Sequence, residues 1–235
     1  MSNTYFRFKK FTIHQDRTTM KVCTDSCILG AWTALRIQEA INILDIGAGT
    51  GLLPLMLAQQ SVSYIDTIES DPESAAQAAE NIQASPWSDR IQLIISDVRN
   101  FSFTTKYDFI ITNPPFFESD LRSPEKKKNI TKHDESLTLD ELIVVIRSNL
   151  HTEGGFSILL PFYRTAYFES LAINYGFYLR EKLTVRQTPG HAPFRSICLF
   201  GFQENEPVIL QELTIKNNEG KNSTEFVALM KDYYG

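Results

Sequence analysis

The run Ile43-Leu-Asp-Ile-Gly-Ala-Gly-Thr-Gly51 constrains the folding of this 235-residue chain more than any other segment. A short apolar strand ends in three alternating glycines and passes directly into Leu52–Gln60, which reads as a helix. Glycines at such a turn permit positive φ and let the backbone approach a ligand where a Cβ would collide. A nicotinamide or flavin fingerprint would read G-x-G-x-x-G; here Gly51 comes one residue early and Leu52 stands in the expected place.

The rest of the chain agrees with that opening unit. From about residue 42 to 203, β-branched runs alternate with amphipathic stretches, as expected for a parallel sheet covered by helices on both faces. Seven strands are predicted, at Ile43–Ile46, Tyr64–Ile68, Ile91–Ile95, Tyr107–Thr112, Phe156–Leu160, Lys182–Arg186 and Ile197–Phe202. Helices are predicted at Leu52–Gln60, Pro72–Ala84, Leu139–Leu150 and Thr165–Tyr175, with Pro72 suited to a first turn and Thr138 with Glu141 forming a capping box. Ahead of this core, Phe6–His14 and Thr19–Cys23 alternate as a small hairpin would, followed by a helix over Ser26–Ile37; after it come a strand at Val208–Ile215 and a helix at Thr224–Tyr233. Phe117–Glu135 is polar and aperiodic, the pattern of a mobile loop. The expected fold is α/β, a doubly wound, seven-stranded, mostly parallel sheet, with residues 1–41 as an extension packed on a domain spanning 42–235.

Composition is that of an ordinary globular protein, 43% hydrophobic and 22% charged. No apolar stretch approaches the ~18–20 residues that span a bilayer, so a cytoplasmic location and no membrane partner are expected. Cys23, Cys27 and Cys198 are odd in number and lack the second ligand pair of a zinc site. They are read as small buried thiols in a reducing compartment, with no metal. A net charge of −5 argues mildly against nucleic acid, but the charge is segregated. Residues 1–21, 122–133 and 180–195 carry +4, +4 and +3, leaving −16 on the remainder. A basic face on an acidic body is therefore possible.

The glycine loop suits a zwitterionic ligand better than a pyrophosphate. The methionine portion of S-adenosylmethionine needs no phosphate cradle, and Asp45, preceding Gly47, Gly49 and Gly51, can meet its ammonium directly or through water. Glu69 ends the second core strand 18 positions beyond Gly51, where a carboxylate can accept from both ribose hydroxyls. At the end of the third, Asp97 could accept from an adenine amino group while the Val98 N–H donates to a ring nitrogen. Either acid alone is also compatible with a loop or capping role; their register with the glycine loop favours the cofactor.

The fourth strand runs into Asn113-Pro-Pro-Phe116. An adenine amino group is a poor nucleophile, its lone pair delocalised into the ring, and it is not deprotonated near neutral pH. The Asn113 side-chain oxygen and the Pro114 carbonyl can accept its two hydrogens and favour a pyramidal nitrogen, and both bonds strengthen as positive charge develops. Pro114 and Pro115 stiffen the segment and keep that carbonyl from ladder pairing. Phe116 offers a flat face for a splayed base.

With these residues the sequence resembles the class I amino-methyltransferases, whose Asn/Asp-Pro-Pro-aromatic signature follows the fourth strand. More closely, Met20-Lys-Val-Cys-Thr-Asp-Ser-Cys-Ile-Leu-Gly-Ala-Trp32, the Asn113 tetrapeptide, Lys132-His133 and the tail Thr224-Glu-Phe to Leu-Met-Lys-Asp-Tyr-Tyr234 are similar to the bacterial tRNA (adenine-N6)-methyltransferases that act on position 37 of a valine tRNA. The resemblance implies S-adenosylmethionine as cofactor, tRNA as partner, and Thr24 and Asp25 beside the methionine end of the cofactor. Ser26 departs from the glycine expected there. A monomer with no obligate protein partner is anticipated. Lys126, Lys127, Lys128, Lys132 and His133 follow the tetrapeptide in the polar loop and are the candidate RNA contacts. The rivals are methylation of a protein glutamine amide or of guanine N2 in ribosomal RNA, and a non-catalytic RNA-binding module.

Overall fold

The computed structural model describes residues 3–18, 21–115, 137–204 and 207–235. Its centre is an eight-stranded sheet in the order β10-β8-β9-β7-β6-β3-β4-β5. The strands are β3 (Asn42–Ile46), β4 (Tyr64–Glu69), β5 (Ile91–Ile95), β6 (Tyr107–Thr112), β7 (Leu150–Pro161), β8 (Tyr178–Arg186), β9 (Arg195–Gly201) and β10 (Ile209–Thr214). Among these strands only β9 runs antiparallel, between β7 and β8. The seven predicted strands are all present. The eighth is the strand expected after the core, which pairs parallel to β8 along Ile209–Thr214 and becomes the sheet edge.

Each face of the sheet buries its own apolar layer. On one side α1 (Thr24–Ala34), α2 (Leu52–Gln60), α3 (Pro72–Gln83) and α6 (Thr224–Met230) enclose Ile28, Leu29, Met56, Ala78 and Phe226 against Ile43, Ile65 and Ile111. On the other, α4 (Leu139–Asn149) and α5 (Thr165–Asn174) cover Leu44, Ile110, Phe156, Ile158 and Phe200 with Leu142, Ile146 and Phe168. The period-two alternation of β3 and β6 sends odd and even residues into different layers. The predicted starts hold for physical reasons: Asp71 accepts from Ser74 N at 2.8 Å ahead of Pro72, and Thr138 and Glu141 complete both halves of the capping box.

The N-terminal hairpin is smaller than expected. It consists of β1 (Tyr5–Arg7) and β2 (Thr12–His14), paired antiparallel, while residues 21–23 form no strand and Thr19 lies outside the described residues. Val22 N–H instead donates to the Gln15 side chain, so the segment returns as a loop leading into α1. Helix α1 begins at Thr24 rather than Ser26 and ends at Ala34. Cys27 and Cys198 are buried, but Cys23 is exposed as the residue before α1, so the expectation of three buried thiols holds for two.

Because β3, β4, β5 and β6 are parallel, their carboxyl ends open on one edge of the sheet, and Gly47, Glu69, Asp97 and Asn113 all follow or end those strands there.

Candidate active site

The glycine loop is built by β3 and fastened to β4. Gly47 and Ala48 N–H groups donate to the Ile68 carbonyl at 2.9 and 3.1 Å. Gly47 and Gly49 take φ of 89° and 53°, and a Cβ at either would meet no atom within 4 Å. That side of the loop is open, so their glycine identity serves backbone conformation rather than packing. Gly51, at φ 79°, precedes α2 and lies against Ala78 of α3.

Beside the loop lies a cavity of about 440 Å³, within the range of small-molecule sites. Gly47, Gly49, Glu69, Asp97, Val98, Asn113, Pro114 and Pro115, all predicted, line it. Glu69 is locked in place: one oxygen accepts from Gly49 N at 2.8 Å, the other from Ser70 N and Asp71 N at 2.9 Å each. Its carboxylate thus fixes the glycine loop, and its remaining acceptor capacity lies on the oxygen shared with Gly49. Asp97 is gripped by Arg99, whose Nε and Nη2 reach its two oxygens at 2.6–3.0 Å, and this pairing holds its carboxyl below the usual range. Arg99 also reaches Glu141 of α4 at 3.2 Å.

Asp45, Gly51, Thr24 and Asp25, also predicted, do not line this cavity. Asp45 is fully buried, with one oxygen accepting from Thr67 Oγ1 at 2.7 Å and Oδ1 unpartnered among the described residues. Burial, reinforced by the nearby Glu69 charge and only partly offset by Thr67, pushes its pKa up to about 8. Thr24 is exposed at the start of α1. Asp25 is buried and forms an ion pair with Arg195 at 2.8 Å, which joins the start of α1 to the start of β9.

Ser26, the residue that departs from the expected glycine, bridges α1 to the tetrapeptide. Its Oγ accepts from Asn113 Nδ2 at 2.9 Å and contacts Cys23 Sγ at 2.8 Å. The Asn113 amide is thereby anchored through its nitrogen. Its Oδ1 is shielded from solvent and finds no partner among the described residues. A buried acceptor without a donor is costly and marks a place where a bound group can supply one.

Among the residues not marked as site residues by the sequence are Ser26, Arg99, Arg17 and Thr18, of which Arg99, Arg17 and Thr18 line the cavity. In the sequence Arg17 counts only as part of a basic segment, and pattern alone carries no signal that brings residue 17 to a cavity formed around residue 69. Phe116, Lys126, Lys127, Lys128, Lys132 and His133 lie outside the described residues.

Known proteins share both the sequence and the fold. The family model described as the methyltransferase small domain matches residues 31–166. Over 99% of its length the chain is 44% identical to the tRNA1(Val) (adenine(37)-N6)-methyltransferase of Dyadobacter fermentans, covering 98% of that protein. It is 40% identical over its full length to the protein of the same name from Phocaeicola vulgatus, covering 99% of it. Among solved structures, a predicted O-methyltransferase from Agrobacterium tumefaciens aligns over 89% of this chain and 96% of its own with a TM-score of 0.65, at 15% identity, a likeness of fold. The chain therefore belongs to the family of proteins named tRNA1(Val) (adenine(37)-N6)-methyltransferase, built on the methyltransferase small domain.

Proposed function

We propose that this protein transfers a methyl group from S-adenosylmethionine to N6 of adenosine 37 in a tRNA, the valine tRNA of its relatives' name. The observation that carries the reading is the Asn113 amide, held by its nitrogen on Ser26 with Oδ1 buried and unpartnered at the rim of the cavity.

The cavity fits the cofactor. The open side of Gly47 and Gly49 admits the methionine portion, Glu69 presents an acceptor for ribose, and Asp97 and Val98 flank the space for adenine. Gly51 shapes the entry to α2. Thr24, Asp25 and Asp45 stand outside the lining and are assigned to the methionine end of the cofactor, Asp45 as a buried carboxyl able to ionise when a cation comes near. When bound, S-adenosylmethionine supplies an electrophilic methyl group on a sulfonium.

The residues of the chain then work on the amine. Asn113 Oδ1 accepts one N6 hydrogen and the Pro114 carbonyl the other, drawing the nitrogen lone pair out of conjugation. Both acceptors gain strength as the amine becomes positive. Pro115 holds the turn rigid and Phe116 stacks on the base. Lys126, Lys127, Lys128, Lys132 and His133 approach the RNA backbone. Residues 1–41 form an extension of the 42–235 domain that helps close the cofactor site, supported by Arg17 and Thr18 in its lining. No helix among the described residues is long and apolar enough to cross a membrane. The protein is assigned as a cytoplasmic monomer acting on free tRNA.

The test is incubation of the purified protein with S-adenosylmethionine and a valine tRNA transcript, followed by nucleoside mass spectrometry. N6-methyladenosine should form and vanish when adenosine 37 is replaced by guanosine. Methylguanosine as the product, or no methylated nucleoside, would overturn the assignment.

A further inference from the structure

On the other side of β6 from β3 and β4, strand β7 leads into two exposed aromatic residues. Strand β7 pairs with β6 through Ile158 and Thr112, and it continues past that pair to Pro161 before a tight turn at Phe162–Arg164 leads into α5. Adjacent strands lie about 4.8 Å apart with a rise of about 3.3 Å per residue, so Phe162 stands roughly 11 Å from Asn113 on the same carboxyl edge.

Phe162 is 41% exposed and Tyr163 66%, although each is a large apolar side chain beside a well-packed core. The backbone beneath them is fixed. Phe162 N–H donates to the Phe194 carbonyl at 3.1 Å, and Phe194 N–H donates to the Val185 carbonyl at 3.0 Å, tying the turn to the β8–β9 loop. Behind it, the Tyr167 hydroxyl donates to Asp140 at 2.8 Å and Arg164 lies over the Tyr167 ring at 4.6 Å. Two rings are thus presented to solvent on a rigid support, one nucleotide's reach from the proposed target amine.

We propose that Phe162 and Tyr163 are a stacking platform for the unpaired anticodon-loop bases that flank the target adenosine. The inference rests on the tRNA reading and extends it to a surface that reads the loop by shape and stacking. Unpaired bases are recognised by aromatic faces, which tolerate sequence and carry no charge. The cations of the neighbouring β8–β9 segment are engaged within the protein, Arg195 with Asp25 and Arg186 with Glu212 at 3.5 Å, which fits a surface that binds through rings.

The test compares the parent, Phe162→Ala/Tyr163→Ala, Tyr163→Ala and Tyr163→Phe for binding to an isolated anticodon stem-loop and for methylation of full tRNA. The double variant should bind the RNA about 5- to 100-fold more weakly and show a matching rise in KM for tRNA. Tyr163→Phe, which keeps the ring, should stay within about two-fold of the parent, and Tyr163→Ala should fall between parent and double variant. Because stacking releases no counterions, the slope of log K against log salt should be the same for parent and double variant. S-adenosylhomocysteine affinity, measured alongside, should match the parent and reports an intact fold. A parent that methylates tRNA while the double variant binds RNA with unaltered affinity overturns the platform and leaves the methyltransferase reading intact. A parent that neither binds nor methylates tRNA overturns both.

Discussion

In the proposed mechanism Asn113 and Ser26 share the work of orientation: the serine hydroxyl holds the amide nitrogen, which leaves the oxygen to face the substrate. Asn113→Ala should leave S-adenosylhomocysteine affinity within a few-fold and lower turnover by about 10²–10³, the scale of one lost transition-state contact. Near-parental turnover on purified tRNA would remove Asn113 from the chemistry. Ser26→Ala should cost roughly 2- to 10-fold in kcat, the worth of one ordinary hydrogen bond, with KM for tRNA unchanged. A purely structural serine would instead lower the melting temperature and leave kcat intact. Asp45 makes a prediction of opposite character. Its folded pKa, about 8, exceeds the value near 3.9 of an unfolded aspartate, so its contribution to stability is complete below about pH 4 and is lost as pH rises towards 8. Melting temperatures of the parent should therefore fall between about pH 5 and 8 more steeply than those of Asp45→Asn. If a cofactor ammonium stabilises the ionised carboxyl, saturating S-adenosylhomocysteine should flatten the parental curve too. Parallel curves for parent and variant would show that Asp45 does not titrate in this range.

Among the elements, legibility follows the range of the interactions involved. The strand, the three glycines and α2 are readable because the turn is decided locally, and Pro72 and the Thr138–Glu141 capping box declare their helices within four residues. The start of β7 is less legible. β7 begins at Leu150, directly after α4, and Thr152, Glu153 and Gly154, which resemble a turn, fall in a register shift: Leu150 pairs with Tyr107, and pairing resumes only at Gly155, opposite Phe109 on β6 and Gly201 on β9. Strand register points to Glu69 and Asp97, yet their partners Gly49 and Arg99 emerge only in the folded chain, and so does the shortened hairpin. Asn81 shows why. Its side chain accepts from His14 N at 2.9 Å and donates to the His14 and Thr50 carbonyls at 2.8 and 2.9 Å, clamping hairpin and glycine loop to α3. An asparagine in an amphipathic helix gives no sign of contacts 31 and 67 residues away. Asn81→Ala removes the side-chain partner of three backbone groups, the Thr50 carbonyl in a buried bond and the His14 N–H and carbonyl in part-buried ones, and should destabilise the protein by about 1–3 kcal/mol in urea titrations. It should also weaken S-adenosylhomocysteine binding, since Thr50 belongs to the loop. A loss below about 0.5 kcal/mol, the scale of an ordinary surface substitution, would mean the clamp is dispensable.

For the molecule as a whole, an acidic body of −16 must find the positive charge to hold RNA. Of the three basic segments, 180–195 is largely committed internally: Lys182 pairs with Glu169 at 2.9 Å, Arg186 with Glu212, Arg195 with Asp25, and Arg180 donates to Gln203. In the N-terminal segment Arg17 pairs with Glu80 at 2.9 Å and Lys9 reaches the Lys231 carbonyl at 2.5 Å. Charges held this way release fewer counterions on binding, because each must first leave its internal partner. We propose that residues 122–133, above all Lys126, Lys127 and Lys128, ten to twelve positions after Phe116, supply much of that charge. If all three meet phosphates, replacing them with glutamine should reduce the slope of log K against log salt by about 2–3 units, at about 0.7–0.9 per contact. Cofactor affinity should not move. This response is the complement of that expected for Phe162 and Tyr163, whose removal should shift the line without tilting it. Measuring tRNA affinity at several salt concentrations for the parent and the triple variant decides the matter: identical slopes would exclude these lysines from the phosphate backbone and return the role to the N-terminal and 180–195 segments, whose internal ion pairs would then have to open on binding.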